Sequence, residues 1–246
     1  MTLRIGFDLD GVLADLAAAY RAVDLRLFGD AGVEDEAPES FGDDGETPLG
    51  SGDEKQDDMA RGAVKHLREQ RQRHLAVWHA IEATHDFWTT LRPLEEGLVA
   101  RLAEAATRHR WEVLFITQRP DTVGETAQRQ TQRWLVAYGF DLPAVVIARG
   151  GRGALADALA LDYLVDDTAK NCVDVVADSD TRVILVNRTG DPTVAASARR
   201  LGVAVVSSAS GALDILEQAT AARTNPTLFN RLARLVGWRW EVKSEK

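Results

Sequence analysis

From residue 95 onward the chain alternates apolar runs of about five residues with helical stretches, and nothing else in it constrains the fold as much. Residues 111–117, 144–148, 161–165, 181–187 and 203–206 read as strands. Residues 95–109, 125–138, 153–160, 192–201 and 210–222 read as helices, with Gly139 stopping the second. Short strands joined by helices bury both faces of the sheet they form. The pattern therefore predicts an α/β fold with a parallel sheet covered on each side. A sixth apolar run, residues 3–7, opens the chain, and a helix is expected over 12–28.

Three of these strands end on polar residues. The first ends on Asp8 and Asp10, followed by Gly11 and, farther on, Asp15; another ends on Thr117; a third on Asp166 and Asp167. Ligands of open α/β sheets bind outside the carboxyl ends of the strands, so these residues are candidates for one site. Carboxylates crowded at such a place repel one another, and a metal cation is the usual remedy.

Composition narrows the setting. The net charge is −9, but residues 30–58 hold twelve acids and one base, a net of −11, leaving about +2 elsewhere. An acidic chain repels a nucleic acid polymer, while its folded body need not repel a phosphate ester. The acidic stretch also carries Pro38 and Pro48 and buries little, so a solvated loop is expected there. Cys172 is the single cysteine, which excludes an internal disulfide and a cysteine-based zinc cluster. No apolar run approaches the ~20 residues that span a bilayer, and Asp8 comes too early for a signal peptide. A cytoplasmic protein with no membrane partner is expected.

Residues 60–84 read as a helix carrying His66, His74 and His79, with His85 just beyond; no two are spaced i, i+4, the spacing a metal pair on one helix face needs. Phe87-Trp88 closes this segment. The tail begins with a helix cap, Asn225-Pro226, and continues as an apolar stripe through Leu228, Leu232, Leu235 and Val236. It is expected to pack on its own domain, with a partner or homodimer contact as the alternative.

The words Asp8-x-Asp10-Gly11-Val12, Thr117 and Asp166-Asp167 resemble the signature of the haloacid dehalogenase-like hydrolase superfamily, most of whose members are magnesium-dependent phosphatases. The resemblance covers residues 1 to about 190. It implies a Rossmann-like core at 1–19 and 92–222, a small helical cap at 20–91 containing the acidic loop 30–58, and a separate tail at 223–246. Phe87-Trp88-x-x-Leu91-x-Pro93 and Thr117-x-Arg119-Pro120 further resemble the small-capped 5'-nucleotidase branch, which includes the deoxyribonucleotidases.

The resemblance also implies roles. Asp8 attacks phosphorus and forms an aspartyl-phosphate. Asp10 serves as acid and then base, its backbone carbonyl contacting Mg2+ alongside Asp8, Asp166 and Asp167. Thr117 holds a phosphoryl oxygen, helped by the amide of Gly11 or Leu9. Where the family places a lysine, this chain has Arg152 in a Gly-rich run, with Lys170 as the alternative cation. Arg119 and Trp88 are candidate contacts to a small phosphorylated substrate, such as a nucleotide. A dehalogenase would not need Asp10. The missing lysine keeps open a phosphate-binding scaffold with little turnover.

Overall fold

The computed structural model describes residues 2–29 and 54–224, with side chains for 2–29 and 64–223. Six parallel strands form one sheet in the order β3-β2-β1-β4-β5-β6. They are β1 (Arg4–Asp8), β2 (Glu112–Thr117), β3 (Ala144–Ile147), β4 (Tyr163–Asp166), β5 (Arg182–Val186) and β6 (Ala204–Val206). Between and after them run α1 (Leu16–Phe28), α2 (Glu54–Glu82), a 3-10 turn (Phe87–Thr89), α3 (Leu98–His109), α4 (Ala127–Ala137), α5 (Arg152–Ala158), α6 (Ala169–Asp178), α7 (Pro192–Arg200) and α8 (Ala209–Thr224). This is a Rossmann-like core with a helical cap inserted after the first strand.

Strand order decides where a ligand can sit. From β1 the chain winds outward through β2 to β3, then returns to β4 on the other flank of β1. The connections leaving β1 and β4 therefore diverge, which opens a crevice at their carboxyl ends. Asp8 and Asp166 are the last residues of those two strands.

The loop after β1 is tighter than the expected helix over 12–28. The Leu9 carbonyl accepts the amides of Leu13 and Ala14, both at 2.8 Å. Asp15 then caps α1, accepting the Ala18 amide at 2.9 Å, so the helix starts at Leu16. Ala14 and Asp15 lie beside Arg92–Leu94, where the Asp15 amide donates to the Arg92 carbonyl at 2.8 Å. The cap thus leaves and re-enters the core at one point.

The cap's inner end shares the core. Val77, Trp78 and Ile81 of α2, with Phe87 and Trp88, pack in one cluster with Ile5 and Phe7 of β1. Farther out, Arg73 of α2 forks onto Asp24 of α1 with two 2.6 Å hydrogen bonds.

Two further expectations change. Residues 54–58, read as part of an acidic loop, form the first turns of α2; the rest of that loop, 30–53, lies outside the described residues. α3 starts at Leu98 rather than residue 95, because Glu95 turns away to accept the Ala209 amide at 2.9 Å and Arg188 at 2.8 Å. The tail helix from residue 225 is also outside the described residues. Among the described residues no helix is long and apolar enough to cross a membrane.

Candidate active site

The three polar strand ends meet. Asp8, Asp10, Thr117 and Asp167 line one cavity of about 230 Å³, and Arg152 joins them from the first position of α5. Register explains the convergence: Asp8 pairs with Ile116, one residue before Thr117, and Phe7 pairs with Val165, one residue before Asp166.

Arg152 is the cation on Asp8. Its Nη2 donates to Asp8 Oδ1 at 2.6 Å, and its Nε lies 3.6 Å from Asp166 Oδ2. The side chain is only 3% exposed, yet Nε and Nη1 have no hydrogen-bond partner. Nε still faces the Asp166 carboxylate, but a buried Nη1 left this way costs free energy unless an acceptor arrives. Lys170, the alternative cation, lies on α6 with an exposed side chain. At the start of that helix it is Asn171 that turns inward, its amide 3.1 Å from Asp166 Oδ2, while the Thr168 amide donates to Asp166 Oδ1 at 2.8 Å. Within the Gly-rich run around Arg152, Gly153 serves helix packing. A Cβ on Gly153 would stand 2.4 Å from the Asp174 carbonyl oxygen, so the glycine lets α5 press against α6.

The carboxylates oppose one another's charge. Burial pushes the Asp8 pKa well above the usual carboxylate range; Asp166 raises it further and Arg152 pulls it back. Burial raises Asp166 as well, against the pull of Arg152, Thr168 and Asn171. Asp167 is pushed up to about 7, by burial first and then by Asp166. An all-oxygen donor set of this kind suits a hard cation such as magnesium. Among the described residues, no three acidic, histidine or cysteine side chains are already drawn together as ligands.

Arg119 is placed differently from the expected substrate contact. It forks onto Asp10: Nη2 to Oδ1 at 2.7 Å and Nε to Oδ2 at 2.9 Å. Nη1 donates to Thr131 Oγ1 at 2.9 Å, and the guanidinium lies 4.8 Å from the Trp88 ring centroid. All three nitrogens are therefore committed. Trp88 is fully buried, its indole nitrogen donating to the Pro120 carbonyl at 2.9 Å. It supports Arg119 rather than offering an open face for stacking. Thr117 Oγ1 donates to Asp10 Oδ2 at 3.2 Å. The Gly11 amide donates to the Ala14 carbonyl at 3.0 Å instead of standing open to a ligand. Gly11 itself is required: its φ is +85°, and a Cβ there would fall 1.7 Å from Asp167 Oδ2.

Leu16, Ala17 and Tyr20 of α1 and Trp78 of α2 also line the cavity and were not singled out from sequence. Their signal is weak because they sit on two helices far apart in the chain and follow ordinary helical spacing. Thr131 and Asn171, which position Arg119 and Asp166, are equally silent; only the place of Asn171 in the first turn after Asp166-Asp167 hints at its role.

No protein-family model matches the chain, and no curated protein matches it. Solved structures do. A phosphonoacetaldehyde hydrolase-like protein from Oleispira antarctica is similar at 15% identity and a TM-score of 0.51, over 95% of this chain and 94% of that one. A candidate beta-phosphoglucomutase from Thermotoga maritima is similar at 16% identity and a TM-score of 0.50, over 88% and 99%. At such identities the likeness concerns architecture, and the chain has the overall fold of haloacid dehalogenase-like hydrolases.

Proposed function

We propose that this protein hydrolyses a phosphate monoester, with Asp8 as the nucleophile and Asp8, Asp166 and Asp167 as the side chains that hold magnesium. The observation that carries the reading is Arg152, which donates from Nη2 to the Asp8 carboxylate and leaves its buried Nη1 without an acceptor. A phosphoryl group at Asp8 would supply an oxygen to that donor.

When bound, magnesium would offset the repulsion between the carboxylates and a phosphate dianion and orient the phosphoryl group. Asp8 Oδ attacks phosphorus as the ester P–O bond breaks, giving an aspartyl-phosphate and an alcohol whose oxygen takes a proton from Asp10. Asp10 then removes a proton from water, which attacks the same phosphorus and releases phosphate and Asp8. Arg119 and Thr117 hold Asp10 in position for both transfers. Nothing in the site narrows the reading to nucleotides, and the buried Trp88 withdraws the stacking argument for them.

Phosphate release from p-nitrophenyl phosphate, with magnesium and then with excess chelator, tests the proposal. Activity is expected only with the metal, and Asp8→Asn should remove it while leaving the circular dichroism spectrum unchanged. Full activity in chelator or in Asp8→Asn would overturn the mechanism. Phosphate binding without turnover would favour the scaffold reading.

A further inference from the structure

The cavity has two ends of opposite chemistry. Asp8, Asp10, Thr117 and Arg152 stand at one; Leu16 and Tyr20 of α1 and Trp78 of α2 stand at the other. The second end is a built surface. The Tyr20 and Trp78 rings lie 5.8 Å apart, tilted by 60°. Tyr20 Oη and His74 Nδ1 are 2.9 Å apart, and the His74 ring meets Trp78 edge-on at 6.1 Å. The Arg73–Asp24 fork, one residue before His74, fixes the two helices at this level.

Among the described residues, this end also offers a ligand no cation. Among the described residues, Arg119 and Arg152 are the cationic ones that line the cavity. Arg119 is committed to Asp10 and Thr131, and Arg152 serves the reaction end beside Asp8. Burial holds the His74 imidazole below its usual pKa, so the ring behind the wall is uncharged near neutral pH. A second phosphate or a carboxylate on the substrate would lose its water with no counter-charge, facing a site already crowded with Asp8, Asp10 and Asp167. An apolar ring would instead gain about 25 cal/mol for each Å² it covers, with an edge or offset contact to Tyr20 besides.

We propose that the substrate carries a single phosphate on an uncharged aromatic body, which seats on Leu16 and Tyr20, with Trp78 buried behind them. This inference rests on the hydrolysis reading above and specifies its substrate class.

Three esters of primary alcohols hold the bond-breaking chemistry constant: phenethyl phosphate, glycerol phosphate esterified at a terminal carbon, and phosphoglycerate esterified at its terminal CH2. Phosphate release should show kcat/KM for phenethyl phosphate higher than for glycerol phosphate by roughly tenfold or more, with phosphoglycerate poorest. Leu16→Asp places an acid in the first turn of α1, where helices accept one, and should erase the preference by raising KM for phenethyl phosphate. Inorganic phosphate should still inhibit that variant at the same concentration. Tyr20→Phe keeps the ring and should keep the preference. Glycerol phosphate or phosphoglycerate matching or exceeding phenethyl phosphate would overturn this inference alone. So would a preference that survives Leu16→Asp. Release from none of the three, with p-nitrophenyl phosphate still hydrolysed, would overturn this inference alone, whereas release from none of the four would overturn the hydrolysis reading with it.

Discussion

Arg119 grips both carboxylate oxygens of Asp10, at 2.7 and 2.9 Å, from a side chain that has no solvent exposure. The pair ties the turn after β1 to the loop after β2. Removing one partner of a buried ion pair strands the other, at a cost of about 3 kcal/mol. Arg119→Met should lower the unfolding free energy in urea by about that much, and the double variant with Asp10→Leu should regain most of it. An equal loss in both variants would show that Arg119 matters through packing on Trp88 instead.

Arg152 and Lys170 make opposite predictions. Arg152→Ala should slow phosphate release by roughly a hundredfold or more, as loss of a charge contact to the transition state does. Arg152→Lys should recover part of the rate, since a compact ammonium can reach Asp8 but offers no fork. Lys170→Ala should be nearly silent. Rates of the three variants under saturating magnesium decide between the two cations.

Gly11→Ala should fail at the site before it fails elsewhere. A left-handed φ costs a side chain about 1–2 kcal/mol, and the new methyl would press into the Asp167 carboxylate. A modest fall in Tm with a large loss of turnover is the expected combination. Unimpaired turnover would mean that Asp167 can move aside freely.

The raised carboxyls make stability fall as pH rises. In the unfolded chain each titrates near pH 4, whereas Asp167 is held up to about 7 and Asp8 and Asp166 are also raised. Between those values the folded state binds more protons, so the slope of unfolding free energy against pH is negative. The metal-free protein should therefore lose Tm from about pH 4 upward, with the Asp167 part complete once pH passes about 7. Magnesium should raise Tm more at pH 8 than at pH 5. Thermal melts across that range, with and without the metal, check the sign; a Tm that climbs with pH in the metal-free protein would contradict it.

Much of the fold was legible because period and punctuation are local. Strand runs, Gly139 and the polar strand ends each occupy a few consecutive residues, and the parallel sheet follows from their alternation. The convergence of Asp8, Thr117 and Asp166-Asp167 follows from strand register, which the same pattern sets. Partnerships across the chain were not legible. Arg119 stands two residues after Thr117 and reads as a ligand contact, but its partner Asp10 is 109 residues away. Residues 12–14 read as helix because they are apolar, yet their backbone closes a turn on Leu9. The Tyr20–His74 contact spans 54 residues, so neither helix alone reveals a wall.

The close seating of α5 on α6 at Gly153 has a consequence for how this protein tolerates change. The Gly153 amide donates to Asp174 Oδ2 at 2.8 Å, and Arg152 is its immediate neighbour. The guanidinium on Asp8 is thus aimed by a helix-to-helix joint that touches no substrate. A variant at Asp174, inconspicuous by its distance from the chemistry, would tilt the arm that carries the charge. Inherited variation in this protein should accordingly be most constrained along a line running back from the crevice between these two helices, and freer across the outward surfaces of the cap.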